Sequence, residues 1–482
     1  MGPGPAYMRG ENAPLAPREL PVPIDPDTLL LSRIQFGFTL AFHILFPTLT
    51  IGLAWFLATV EALWLKTRNP VYVQVYRLWV KIFALGFGMG VVSGVVMSYQ
   101  FGTNFSRFSE IAGPVMGPLL SYEVLTAFFV EAGFIGVMLF GWDKVGPRLH
   151  FLATVLVALG TINSSFWIIA TNSWMHTPQG AALVDGRFVV NDWWAVVFNP
   201  SFPYRLSHMV IAAFLSTSFV VAGVSAWYLL RGDHGAVARR GLSLGLLLAA
   251  VLAPTQILVG DQSGLEVKAH QPMKVAAMEG LWHTRKGAPL LLFALPDQAA
   301  EANRYELAVP DGASLILTHR LDGEVKGLNE VPPADRPPVL PVFWAFRIMV
   351  GMGIVMLAIA AWSLWLRWRG RMYDHRWLLR ACVAAIPAGF IATVSGWVTA
   401  EVGRQPFTVY GLLRTADSVS PVTASAVVTS LVLFVAVYGV LFAAFLYYVS
   451  RVIAKGPDYD EALPEHPDAM RGARASTVIP AE

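Results

Sequence analysis

Nine apolar runs, near residues 36–65, 82–100, 119–142, 150–172, 206–230, 241–260, 342–366, 380–400 and 423–450, constrain this chain more than any other feature. Each is long enough to cross a bilayer, and in lipid every backbone N–H and C=O must find its partner inside the protein. The solution open to such a chain is all-α, a polytopic bundle of about nine transmembrane helices. Side-chain usage agrees: of 482 residues, 55% are hydrophobic and 14% charged, the profile of a multi-pass membrane protein rather than a large soluble enzyme. A formal charge of +3 is too small to suggest nucleic acid as a partner and reads instead as loop asymmetry.

That asymmetry sets an orientation. Lys66, Arg68, Arg77 and Lys81 follow the first run, Lys144 and Arg148 the third, Arg231, Arg239 and Arg240 the fifth. Arg367, Arg369, Arg371, Arg376 and Arg380 follow the seventh, and Arg451 and Lys455 the ninth, whereas the alternate loops carry fewer cations. Positive residues stay inside, so the N-terminus is expected outside and the C-terminus in the cytoplasm. Residues 1–30 are proline-rich without a signal-peptide core and read as a flexible arm. Helices 1–6 are expected over 31–260, an outer loop over 261–341, helices 7–9 over 342–451 and a cytoplasmic tail over 452–482.

With topology expected, depth can be assigned. His43 lies about two turns into the first run, His208 just inside the fifth, Met349 about two turns into the seventh, and Glu401 closes the eighth on the same side. A carboxylate at the end of a membrane helix must be paired, protonated or bound to a cation. Histidine and methionine are axial haem ligands, and helices can sandwich a macrocycle; the plainer alternative for each is helix packing. Arg33, Arg347 and Arg404 share this level, where propionates would need charge-assisted partners. Glu123 and Glu131 stand eight residues apart on the third run, about 12 Å along a regular helix and about 80° apart around it, suiting a proton relay, with Ser164 and Asn172 of the fourth run as further polar links. Gly86, Gly88, Gly90 and Gly94 resemble a nucleotide-binding fingerprint, but no strand precedes them and close helix packing explains them better. Ten histidines and a single cysteine, Cys382 in an apolar run, exclude a disulfide framework or thiolate cluster.

The strings RIQFGFTLAFH ending at His43, YQFGTNFSRF at 99–108, YEVLTAFFVEAGFIGVMLFGWD at 122–143, NSWMHTPQGA at 172–181, FWAFRIMVG at 343–351 and GWVTAEVGRQPF at 396–407 together resemble subunit I of the cytochrome bd-type quinol oxidases. The resemblance runs from about Arg33 to the ninth run. It implies that His208 and Met349 ligate a low-spin haem b, that Glu401 ligates a high-spin haem b and that His43 ligates haem d, with the order of the last two open. It also implies that Arg347 and Arg404 lie near the haems and Trp397 between them, and that Lys274 and Glu279, in the loop segment MKVAAMEG, serve the quinol. If that segment is helical, the pair is expected on one face. Phe407 departs from the tryptophan common after Gln-Pro. The loop resembles the family's short-loop branch, a cyanide-insensitive type in which a further haem b can replace haem d.

Further implications are a second subunit and small single-helix subunits as partners, ubiquinol or menaquinol and O2 as substrates, and a bacterial plasma (inner) membrane location. The competing readings are a proton-coupled transporter using Glu123, Glu131 and Glu401, and a two-haem electron-transfer anchor. A haem–copper oxidase is disfavoured, because that chemistry needs more intramembrane histidines than His43 and His208.

Overall fold

The computed structural model describes residues 25–459, and the expected arm and tail lie largely outside them. Fourteen helices and eight short strands are formed: α1 Pro26–Thr67, α2 Pro70–Thr103, α3 Ser106–Glu123, α4 Phe129–Phe140, α5 Pro147–His176, α6 Trp193–Val197, α7 Phe202–Arg231, α8 Gly235–His270, α9 Pro272–Glu279, α10 Gly312–Thr318, α11 Val339–Trp368, α12 Arg376–Ala384, α13 Ala388–Val402 and α14 Ala424–Lys455. A π turn, Val124–Phe128, joins α3 to α4. Strands β1 Ala181–Val184 and β2 Arg187–Val190 pair antiparallel, as do β4 Leu290–Asp297 with β5 Ala302–Val309 and β7 Phe407–Val409 with β8 Leu413–Arg414. Strand β3 Arg285–Lys286 pairs with β6 Glu324–Val325. Nine helical stretches among the described residues are long and apolar enough to cross a membrane, as expected.

Boundaries differ from the sequence expectation where capping chemistry prevails. Helix α1 begins at Pro26 rather than near residue 31, because Asp25 accepts from the Asp27 N–H and a proline stands at the first helical position. Helix α2 starts at Pro70 in the same way, with Asn69 accepting from Val71 N–H. The third span reaches back to Ser106 through Pro114 and Pro118. Helix α8 runs ten residues past the expected end at 260, so the long excursion is 271–338, and it is folded. The eighth span is broken before Pro387 into α12 and α13.

Small residues set how closely the helices meet. Helix α7 is the most enclosed span and α14 the least. A Cβ at Gly52 on α1 would stand 2.7 Å from Thr217 Cβ on α7, and one at Gly245 on α8 would stand 2.7 Å from the Ser218 carbonyl. The α2 glycines pack as expected, with a refinement. Gly86, Gly90 and Gly94 form an i, i+4, i+8 stripe facing Thr50, Phe46 and His43 of α1, whereas Gly88 faces open space. Cys382 is buried and unpaired in the α7–α12 interface.

This stripe makes a direct prediction. Gly86→Leu forces α1 and α2 apart, costing about 1–3 kcal/mol, whereas Gly88→Leu is neutral; thermal unfolding of the two purified variants measures the difference.

Candidate functional site

Helix α13 packs on α1, α7 and α11, and consecutive parts of its motif address different neighbours. Gly396 meets α11: a Cβ there would lie 2.8 Å from Met349 Sδ, so only glycine lets the thioether lie against this helix. Trp397 reaches α1, its ring 3.9 Å from where a Cβ of Gly37 would be. One turn on, Glu401 faces the end of α5.

Glu401 sits in a polar nest. Its Oε1 accepts from Asn172 Nδ2 at 2.9 Å and His176 Nε2 at 3.1 Å, and its Oε2 meets Arg404 Nη2 at 2.5 Å. Arg205 stands 3.8 Å from Oε1 and donates to Asn172 Oδ1. Lys274 Nζ lies 3.0 Å from His176 Nδ1. An amine donating to Nδ1 leaves the hydrogen on Nε2, pointed at Glu401, so the three side chains form one chain of hydrogen bonds. Glu266 of α8 faces Arg205 and Lys274 as a second carboxylate, and Arg404 Nε and Nη1 and Arg205 Nε are buried without protein partners. Buried donors of this kind require an acceptor. The arrangement fits a group carrying anionic substituents, and a carboxylate with about four lone-pair positions keeps room for a metal.

His43 and His208 also fit metal ligation. His43 Nδ1 lies 2.9 Å from Ser93 Oγ, whose own hydrogen goes to the Met89 carbonyl at 2.8 Å. Ser93 must therefore accept from Nδ1–H, which leaves Nε2 as a lone pair; such an outer hydrogen bond orients metal-binding imidazoles. A Cβ at Gly94 would come within 3.1 Å of this ring. Although α1 starts early, Gln35 pairs with Asn104 at the end of α2, 3.0 Å apart, which puts His43 about 12 Å inside that end of the bundle. His208 has a buried Nδ1 with no partner, its Nε2 is 3.2 Å from Gln256 Nε2, and Gly260 leaves room beside it. His208 and Met349 belong to α7 and α11, and both helices pack on α8 and α13.

Lys274 and Glu279 do not share a face, contrary to expectation. Five residues on α9 turn about 140°, so Lys274 points to His176 while Glu279 meets Arg347 at 3.4 Å. Arg347 is committed there: it also donates to the Met278 and Leu291 carbonyls and stacks on Phe343. It ties the loop to α11 rather than offering its donors inward. Burial pushes the Lys274 ammonium well below the usual lysine range, with Arg205 adding to the effect. Burial pushes the Glu279 carboxyl up, opposed by Arg347.

The relay carboxylates line up better than a regular helix allows. One residue looped out by the π turn reduces their offset from about 80° to about 20°. Glu123 Oε1 accepts from Ser164 Oγ at 2.7 Å, and Glu131 packs on Gly160, with its Oε1 buried and unpaired. Gly160 and Ser164 are neighbours on the face of α5 turned to the carboxylate pair, whereas Asn172, eight residues beyond Ser164 and about 80° round the helix, donates to Glu401 instead. Sequence reasoning missed His176, Arg205, Ser93 and Gln271, whose Nε2 donates to the His176 carbonyl at 2.6 Å. His176 stood inside the quoted string NSWMHTPQGA, and its place at the end of the fourth run, level with Glu401, was the available signal.

Arg347→Leu leaves Glu279 buried without its cation and destabilises the folded loop by about 3–5 kcal/mol. Glu279 then keeps only the burial that raises it. A raised carboxyl contributes stability when protonated and loses it as pH rises through its folded value, so protease should cut loop 271–338 of the variant faster at alkaline than at mildly acidic pH.

The family model for cytochrome bd terminal oxidase subunit I matches residues 31–457. The chain is 38% identical over 443 residues to cytochrome bd ubiquinol oxidase subunit 1 of Bacillus subtilis, covering 90% of this chain and 95% of that one. It is 32% identical over 514 residues to cytochrome bd-II ubiquinol oxidase subunit 1 of Escherichia coli, covering 92% and 100%. The solved bd oxidase of Geobacillus thermodenitrificans superposes with a TM-score of 0.83 at 32% identity, over 89% of this chain and 99% of that one. A match of this extent, over a nine-span bundle whose site side chains fit haem, means that the chain belongs to the cytochrome bd terminal oxidase subunit I family.

Proposed function

We propose that this chain is the haem-bearing subunit of a quinol:O2 oxidoreductase. It oxidises ubiquinol or menaquinol at the face carrying loop 271–338 and reduces O2 to water with protons drawn from the opposite, cytoplasmic face, contributing to the proton motive force. The observation that carries this reading is the nest around Glu401, where a carboxylate, two arginines and the loop lysine converge and three guanidinium nitrogens remain unpaired.

Bound in this bundle, haem supplies one-electron transfer and, at an iron with an open position, oxygen binding and reduction. His208 and Met349 would hold the low-spin haem b, which would supply electron transfer there. Glu401 and His43 would each hold one of the two remaining haems, a high-spin haem b and either haem d or a further haem b, and Trp397 lies between α13 and α1 where those two ligands stand. Arg404 and Arg205 offer their spare donors to propionates.

Quinol oxidation releases protons as well as electrons. Glu279, a carboxylate paired with Arg347 whose proton affinity burial raises, can accept one, and the Lys274–His176–Glu401 hydrogen bonds tie the loop to the haem level. Protons for oxygen would pass Glu131, then Glu123 with Ser164, and continue the length of α5 to Asn172. The exposed apolar sides of α4 and α14, including Phe129, Val432 and Val440, suit lipid, a second subunit and small single-helix subunits.

A pyridine haemochrome assay and a reduced-minus-oxidised spectrum test the reading; no Soret band would point to a transporter instead. His208→Ala and Met349→Leu are each expected to lose the low-spin haem b bands while CO-reactive haem remains, and unchanged bands in both would remove them as ligands. Glu279→Ala is expected to slow quinol oxidation by about 10²-fold or more with haem content intact, read as oxygen uptake driven by quinol.

A further inference from the structure

One group of buried polar side chains lies away from all of this, at the other end of the bundle. Glu61 near the end of α1 and His150 in the first turn of α5 are both fully enclosed, and His150 Nδ1 stands 2.7 Å from Glu61 Oε1. Thr154 Oγ1 donates to Glu61 Oε2 at 2.6 Å, and the Tyr76 hydroxyl lies 3.0 Å from Thr154 Oγ1 and 3.4 Å from the Met138 carbonyl. The Trp142 ring stacks on His150 with centroids 4.0 Å apart.

Two features argue against a mere packing staple. A buried carboxylate with an imidazole is costly next to well-packed apolar residues. More tellingly, His150 Nε2 and Trp142 Nε1 are both buried without a protein partner. Both belong to the end of the bundle where Lys144 lies in the α4–α5 turn and Arg148 in the first turn of α5, the end that the cation distribution assigns to the cytoplasm. An unpaired ring nitrogen beside an unpaired indole N–H makes a seat for a water.

The other end of the group points toward Glu131. Met138, touched by Tyr76, is seven residues beyond Glu131 on α4, which places it on the same face and about 10 Å nearer that end. Thr161, buried on α5, repeats the face of Thr154 seven residues on, level with Gly160 against which Glu131 packs.

We propose that the Glu61–His150 pair is the proton-intake station of this subunit, which passes protons from cytoplasmic water to Glu131. The proposal rests on the reading of Glu131 as a proton carrier. In the uptake step a water O–H bond at His150 Nε2 breaks and an Nε2–H bond forms, while the Nδ1 proton passes to Glu61. The acid so formed releases its proton through Thr154 and Tyr76 to water beside Glu131. The hydroxide left behind is neutralised from the aqueous face, and a ring flip restores the imidazole, so one proton has moved and the pair is unchanged.

The test uses the complete holoenzyme with its partner subunits, comparing Glu61→Gln with Glu131→Gln. Glu61→Gln keeps the size of the pair and its one amide oxygen can still accept from His150 Nδ1, with the amide NH2 turned to Thr154 Oγ1 as a donor, but it cannot ionise. It is expected to assemble with normal haem spectra and normal reduction by quinol. Its oxygen uptake should fall about tenfold or more, with charge movement in liposomes slowed in parallel and a larger solvent deuterium effect. A structural role would lower thermal stability and leave the deuterium effect alone. Wild-type turnover and isotope effect in Glu61→Gln, with Glu131→Gln slow, overturns the intake station and leaves the Glu131 reading standing. Wild-type behaviour in both variants overturns the path itself. If Glu61→Gln does not assemble, Tyr76→Phe, which removes the hydroxyl beyond Thr154 and leaves the hydrogen bonds of Glu61 and His150 in place, decides: slow turnover supports the station and full speed overturns it.

Discussion

A single buried carboxylate, Glu401, organises the end of the bundle that carries the long loop. An enclosed carboxylate alone is strongly disfavoured, and the fold answers with donors from Asn172 and His176 of α5 and Arg404 one turn further along its own chain, and with the Arg205 charge of α7 3.8 Å away. That convergence joins α13, α5 and α7 at one level. It also overshoots, since the cations have more donors than Glu401 can absorb. The surplus distinguishes the nest from a closed ion pair, because enclosed guanidinium N–H groups without a protein partner call for a further acceptor.

Loop 271–338 is bound into this arrangement at two points that face different ways. Lys274 reaches inward to His176, and Glu279 turns aside to Arg347, whose remaining donors go to loop carbonyls. The two residues are therefore separate contacts of one short helix, one toward His176 and one toward the first turns of α11. Through Lys274, His176 and Glu401 the loop is joined to α13 by consecutive hydrogen bonds.

On the α4–α5 side the decisive feature is the π turn at Val124–Phe128. An extra residue in one turn is a local cost in hydrogen-bond geometry. Here it rotates Glu131 into line with Glu123, facing α5, where Gly160 leaves room for one carboxylate and Ser164 meets the other. The same economy of small residues governs α1 against α2, where the glycine stripe that admits His43 also sets the helix spacing.

Much of this was legible in the chain itself. Nine spans follow from hydropathy because lipid admits few backbone solutions, and the intramembrane His43, His208, Glu123, Glu131 and Glu401 stand out because such residues are costly where they lie. The motif strings carried the family resemblance that the comparisons bear out. Periodicity along one helix also held where the helix was regular, as with Gly86, Gly90 and Gly94. What only the tertiary structure decided was partnership. That Arg347 serves Glu279, that Asn172 belongs to Glu401, that Ser93 sets the His43 tautomer and that Glu61 pairs with His150 each depend on contacts between residues distant in sequence. The π turn lay beyond sequence reading for a related reason: hydrophobicity fixes which residues enter the membrane, but the angle at which each faces its neighbour is set by how the helices pack.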